Sequence, residues 1–347
     1  MRFRLLLIGL LVGISMVNAQ DETPPLRELA AEHEMVVGAA INTEAFRNNA
    51  DYRALAEREF NIVTPENMFK FGPLSPGFER YRWTDTDALV DWAEENDMRV
   101  HGHVLVWHNQ QPTWLNEDRL SAEEIEAVME NHIKTVVGRY KGRIHEWDVV
   151  NEAISDSGGY RDTIWLRAMG EDYIAKAFQW AHEADPDALL YYNDYSADTP
   201  GRKADEIYEM VAALVEDGVP IHGVGLQAHL THQQRNSADT EHIREVMDRL
   251  DELGLRVAIT EMDVRIHHES RSREDMLDLQ AEMYANVMRA CLEAPNCDTF
   301  IAWGVSDQYS WIPGFTGNPD WPLLFDEQLN PKLAYFAVAD VLAEEAD

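Results

Sequence analysis

Two glutamates, Glu152 in HEWDVVNEA and Glu261 in RVAITEMD, stand 109 positions apart, each directly after a short apolar run rich in β-branched residues. An acid at the end of a buried strand, where the chain enters a loop, is placed for chemistry. Two such acids can work as a pair, one carboxyl giving a proton while the other, ionised, attacks carbon or activates water. The chain holds 63 acidic residues, and a glutamate taken singly is far more often a solvated surface group. Neighbouring residues separate these two from that background. Glu261 has His229 and Asp263 as a candidate orienting network, and a carboxylate hydrogen-bonded in its charged form stays ionised near neutrality. Glu152 follows a more apolar approach that includes Trp147 and is expected to hold the proton.

The elements that must bring these residues together are legible as alternating patterns. Apolar strand candidates fall near 35–40, 60–64, 99–106, 144–150, 188–193, 222–227, 256–260 and 299–304. Amphipathic helical patterns lie between them, near 44–58, 85–97, 121–138, 163–183, 203–216, 239–253 and 274–293, with a last one after Pro331. Ser121 followed by Glu124 reads as a capping box, and Gly218 and Gly254 stand where helices should stop. Eight apolar strands alternating with eight helices predict a parallel sheet closed as a single (β/α)8 TIM barrel, with its active-site cleft at the C-terminal strand ends. A doubly wound open sheet is the competing topology, but no G-x-G-x-x-G follows the first strand.

Residues at those strand ends are rich in amides, imidazoles and indoles. They are Glu66, Asn67 and Lys70 after the second strand, His103, Trp107, His108 and Gln110 at the third, and Asn151 and Glu152 at the fourth. Asn193 and Tyr195, then Gln227 and His229, then Glu261 and Asp263 follow the next three strands, and Trp303, Asp307 and Trp311 the eighth. Such a lining suits a ligand rich in hydroxyls with apolar ring faces, which is a sugar chain. Strands four and seven lie three places apart round an eight-stranded barrel, so their carboxylates can face one another as glycosidic cleavage requires. Glu261 is then the expected nucleophile and Glu152 the acid/base. Trp303 and Trp311 are expected as sugar platforms, whereas Trp92, Trp165 and Trp180, within helical patterns, read as core.

Composition narrows the class further. A net charge of −34 is repelled by polyphosphate, which argues against a nucleic-acid partner. Only six of 29 basic residues are lysine, and an acidic, lysine-poor surface predicts tolerance of salt. Arg2 and Arg4, the apolar run from Leu5 to Val17 and the small-residue site ending at Ala19 read as a signal peptide over residues 1–19, which leaves 20–347 as an exported catalytic domain with no membrane association. Cys291 and Cys297 could pair in an oxidising compartment or remain two buried thiols.

The motifs TPENMFKF, HGHVLVWHNQ, WDVVNEA, YYNDY, GVGLQAHL, ITEMD, WGVSDQYSW and PLLFDEQLNPKLAY, in this order through nearly the whole mature chain, resemble family 10 glycoside hydrolases, the retaining endo-β-1,4-xylanases. The resemblance implies Glu152 as acid/base and Glu261 as nucleophile, with His229 and Asp263 holding the latter. It implies that Glu66, Asn67, Lys70, His103, Trp107, Gln110, Gln227, Trp303 and Trp311 line the non-reducing-side subsites, that Asn151 bonds the 2-hydroxyl of the sugar being cleaved, and that Tyr195 serves the leaving-group side. It also implies a disulfide between Cys291 and Cys297. The expected partners are xylan and xylo-oligosaccharides, with a monomer acting alone. Retaining β-1,4-glucanase activity and non-cleaving polysaccharide binding are the alternatives. His101, His103 and His108 have a spacing that zinc could use, but the resemblance gives His103 to sugar and implies no metal or other cofactor. The phenylalanines of ENMFKF depart from the family's usual methionine and tryptophan and alter the packing beneath Lys70.

Overall fold

The computed structural model describes residues 23–268 and 270–344. The leader expected over residues 1–19 therefore lies outside the described residues. Among the described residues there are nine strands: β1 (Val36–Ile41), β2 (Ile62–Pro65), β3 (Arg99–Gly102), β4 (Glu146–Asn151), β5 (Leu189–Asp194), β6 (Gly223–Leu226), β7 (His229–Thr231), β8 (Arg256–Arg265) and β9 (Cys297–Ala302). Each strand from β1 to β5 pairs in parallel with the next, β6 pairs with β8, β8 with β9, and β9 returns to β1, so the sheet closes into an eight-membered barrel. Helices cover the outside of the barrel, which is why its strands are buried on both faces and read as continuous apolar runs.

The sixth barrel position is split. β6 pairs with the first half of β8, and after a break at Ala228, whose φ is 54°, β7 pairs with its second half in the register His229 to Asp263. Two expected helices are also divided. Asn49 ends the helix Thr43–Asn48 and caps Ala50–Glu59 by accepting from the Tyr52 N–H, and Gly170 separates Ile164–Met169 from Asp172–Ala184. The expected third strand runs to 106, but β3 ends at Gly102. Leu105 and Val106 then rejoin β4 by donating to the carbonyls of Asp148 and Val149.

Helix ends follow the caps. Ser121 and Glu124 form the expected box before Ala122–Arg139, a motif whose N-cap contributes about 1 kcal/mol, and Gly218 and Gly254 adopt left-handed φ of 70° and 72° just past their helices. Short helices at Leu26–Ala31, Phe71–Leu74 and Ile312–Thr316 lie outside the periodic patterns. Cys291 and Cys297 form a disulfide linking the end of the helix Arg273–Glu293 to the start of β9. No helix among the described residues is long and apolar enough to cross a membrane.

Candidate active site

Glu261 lies in β8, buried at the floor of a cleft of about 820 Å³ at the C-terminal end of the barrel. Its Oε1 accepts from Asn193 Nδ2 at 2.7 Å and its Oε2 lies 3.2 Å from His229 Nε2. His229 Nδ1 is in turn 3.0 Å from Asp263, two residues on from Glu261 and so on the same strand face. Burial works against a charged imidazole here, yet Asp263 and Glu261 outweigh it and lift His229 to about 10. Burial would likewise raise the Glu261 carboxyl, but the charge of His103 and the hydrogen bond and charge of His229 hold it below the ordinary glutamate value.

A chain of buried groups continues beneath. His103 Nδ1 is 3.9 Å from Glu261 and 2.8 Å from Asp148, whose other oxygen is 2.9 Å from His101 Nε2. Burial opposes the ionisation of Asp148, but His101 and His103 prevail and hold it at about 2. An aromatic ring fixes the approach of the two histidines: a Cβ on Gly102 would come within 2.2 Å of the Trp147 ring, so only glycine fits between them. His101 and His103 thus converge on Asp148, whereas His108 lies 3.7 Å from Glu152, and the three do not gather as the metal reading required. His103, Asp148 and Glu261 do bring ligand atoms within 4.8 Å of one another, but these atoms are engaged in the contacts just given.

Glu152, directly after β4, has φ of 58°, a left-handed conformation costly for a side chain of this kind, held by its N–H donating to the Asn193 carbonyl. Gln110, Ser196 and Ala228 have left-handed φ at the same mouth. The Glu152 carboxylate accepts from three neutral donors: Trp107 Nε1 at 2.9 Å, Asn151 Nδ2 at 3.1 Å and Gln227 Nε2 at 3.2 Å. Trp147, expected to desolvate it, packs instead on Gly102 and edge-on to Phe69. The indole that reaches Glu152 is Trp107, because β3 ends early and its loop folds back over β4.

Two amides join the carboxylates. Thr260 Oγ1 donates to Asn193 Oδ1 at 2.6 Å, which fixes that amide so that its nitrogen serves both Glu261 and Asn151 Oδ1, the latter at 2.9 Å. Gln227 also donates to Asn151 Oδ1, so the Asn151 nitrogen is turned to Glu152. The close fit of Asn193 depends on Gly225, where a Cβ would come within 2.2 Å of Asn193 Oδ1.

The remaining expected residues line the cleft on either side. Lys70 donates to Asn67, which Gln110 also approaches at 3.4 Å, and its ammonium is 4.9 Å from the Trp107 ring centre. Burial lowers Lys70 although Glu261, Glu66 and Glu152 act the other way, and burial raises Glu66, which accepts from Asn42. Across the opening, Tyr195 is held by Asp156 and Arg161, and Lys203 lies 3.3 Å beneath its ring centre. Arg161 also donates to the Glu152 carbonyl. Trp311 is partly exposed and donates to Asp263, but Trp303 is only 6% exposed and forms floor beside His103 rather than an open platform.

Asp307 leaves the site for a buried ion pair with Lys332 at 2.9 Å. Trp92 and Trp165 are buried as expected, and Trp180 only partly. Phe69 and Phe71 are buried beneath Lys70, Phe71 stacked on His132 at 3.8 Å. Sequence reading missed the roles of Asp148 and Asn193, and it missed Asp156, Arg265 and Phe315 in the cleft wall. An acid inside an apolar strand was the available signal for Asp148, and period-two spacing from Glu261 was the signal for Arg265.

Residues 25–341 match the family described as glycosyl hydrolase family 10. The endo-1,4-beta-xylanase B of Thermotoga neapolitana is 43% identical over 98% of this chain and 97% of its own length. Native xylanase 10B from Thermotoga maritima superposes with a TM-score of 0.87 at 46% identity, covering 92% of this chain and 98% of that one. Xylanase 10B from Thermotoga petrophila RKU-1 in complex with xylobiose gives 0.88 at 45% identity, covering 92% and 97%. The chain belongs to glycosyl hydrolase family 10.

Proposed function

We propose that the cleft hydrolyses internal β-1,4 linkages of xylan with retention of configuration, through a covalent glycosyl-enzyme. The observation that carries this is the pairing of two carboxylates with opposite surroundings, joined by the Asn193 and Asn151 amides on the floor of an aromatic-lined cleft. Glu261, held ionised by the cationic His229, attacks the anomeric carbon while Glu152 protonates the departing glycosidic oxygen. Water then enters the vacated side, Glu152 takes its proton, and the ester to Glu261 breaks to give a product of the original anomeric form. A retaining pair should stand roughly 5 to 5.5 Å apart.

The Asn151 nitrogen, aimed at the reacting centre, serves the 2-hydroxyl of the sugar under attack. Glu66, Asn67, Lys70, His103, Trp107, Gln110, Gln227, Trp303 and Trp311 hold the non-reducing side, and Tyr195 the leaving group. His229 and Asp263 act through Glu261 as positioning residues. The enzyme works as a monomer on xylan and xylo-oligosaccharides outside the cytoplasm, after removal of residues 1–19. The xylanase names of its relatives over nearly their full lengths support this reading.

Incubation with xylan and with cellulose side by side, with anomeric configuration followed by NMR, tests the proposal. The expected result is β-configured xylo-oligosaccharides from xylan alone. Equal cleavage of cellulose would assign a glucanase, and an inverted product would exclude the covalent route.

A further inference from the structure

Arg265 is a cation in the cleft wall that the proposed reaction does not use. It ends β8, and the alternation of a strand places Glu261, Asp263 and Arg265 on one side, with the Arg265 Cα roughly 13 Å beyond that of Glu261 toward the mouth. Its guanidinium carbon lies 5.5 Å from the ring centre of Trp311 and 5.1 Å from that of Phe315, and all three side chains line the cleft. Trp311 is fixed by its bond to Asp263, while Phe315 is 65% exposed. Among the described residues the Arg265 guanidinium has no carboxylate partner, and its Nε is buried without a hydrogen bond.

Other arginines of the surface are paired. The chain carries 63 acidic residues, and Arg139, Arg143, Arg167 and Arg235 each hold a carboxylate of the protein. Stacking on aromatic rings occupies the faces of a guanidinium and leaves its N–H edge, the part that matches a carboxylate in two parallel bonds, unspent. Arg271 and Arg273 follow in the sequence, but neither lines the cleft, and Arg273 lies 3.5 Å from Glu327. A bare xylan chain offers this edge only neutral hydroxyls.

We propose that Arg265 binds the carboxylate of a uronic-acid branch on the polymer, with Phe315 beside the branch, so that the cleft favours acid-substituted chains. This rests on the reading of the cleft as a xylan-binding groove. The test compares kcat/KM for the wild type, Arg265→Lys and Arg265→Gln on three xylo-oligosaccharides of one length: bare, carrying a single uronic-acid branch, and carrying the same branch as its neutral methyl ester.

The expected result is a loss of about 10-fold or more for Arg265→Gln on the charged branch, a change below about 2-fold on the bare chain and the ester, and partial retention in Arg265→Lys. The wild-type preference for the charged branch also falls as salt is raised. Equal losses on all three substrates would overturn the proposal in favour of packing support for Trp311, and no loss on the charged branch would overturn it outright. Failure of the wild type to cleave the bare chain would instead remove the xylanase reading on which the proposal stands.

Discussion

Glu261 and Glu152 are the same side chain in two environments. Glu261 is the deeper, its side chain 6% exposed, and it stands against two imidazoles, one of them lifted to about 10 by its own acid partner. Glu152 is 13% exposed at the open side of the cleft and is met by neutral donors, two amides and an indole. A cationic partner holds a carboxylate ionised more strongly than a neutral amide or indole donor does, although both kinds of donor favour the ionised form. The difference teaches that burial alone does not assign the acid. The more buried carboxylate is the one held ionised, because its burial comes with cations.

The comparison breaks most visibly at Glu261. Glu261→Ala should lower kcat by about 10⁵-fold on both xylan and an aryl xyloside with a good leaving group, with unchanged circular dichroism. Glu152→Ala should cost about 10³-fold on xylan but less than about 10-fold on the activated substrate, which needs no proton to depart. Similar ratios for the two variants would mean that the roles are not divided. Between the two sites, Asn193→Ala removes the amide shared by both carboxylates and should lower kcat about 10²-fold on either substrate. A loss confined to one substrate would show that Asn193 serves only one carboxylate.

His229→Gln sharpens the contrast through pH. Burial raises the Glu261 carboxyl, and His103 and His229 bring it down, so removing His229 leaves burial less opposed. The acid limb of kcat/KM, where the nucleophile must be ionised, should then move to higher pH, and an unmoved limb would contradict the assignment. Stability follows the same linkage. The raised pKa of His229 contributes stability that is complete below the ordinary histidine value and is lost as pH climbs through about 10, so the variant should show a weaker alkaline fall in melting temperature. The smallest effect belongs to Trp107→Phe, which removes one of three donors to Glu152 and should cost about 10-fold or less on xylan.

The barrel was legible because parallel strands buried on both faces leave apolar runs, and because Ser121, Gly218 and Gly254 mark where helices begin or end. The two glutamates were legible for a related reason, as acids at the ends of such runs. What sequence could not supply was the third dimension of short breaks. Nothing in LQAHL signals that Ala228 takes a left-handed conformation and splits the sixth strand, since alanine rarely does so. The early end of β3 substituted Trp107 for Trp147 beside Glu152, and the Lys332 ammonium drew Asp307 away from the cleft. Asn193 was visible at a strand end, but its tie to both carboxylates depends on Thr260 and Gly225, residues that carry no chemistry of their own.

The division of labour between the two glutamates is tested most directly by trapping the covalent intermediate. An activated 2-deoxy-2-fluoro-xylobioside slows the breakdown of a glycosyl-enzyme more than its formation, so the sugar stays on the residue that attacked. Peptide mass spectrometry of the inactivated protein should find one fluorosugar on the peptide containing Glu261 and none on that containing Glu152. Label on Glu152 would reverse the two roles, and turnover without any labelled peptide, together with an inverted product, would contradict the covalent mechanism itself.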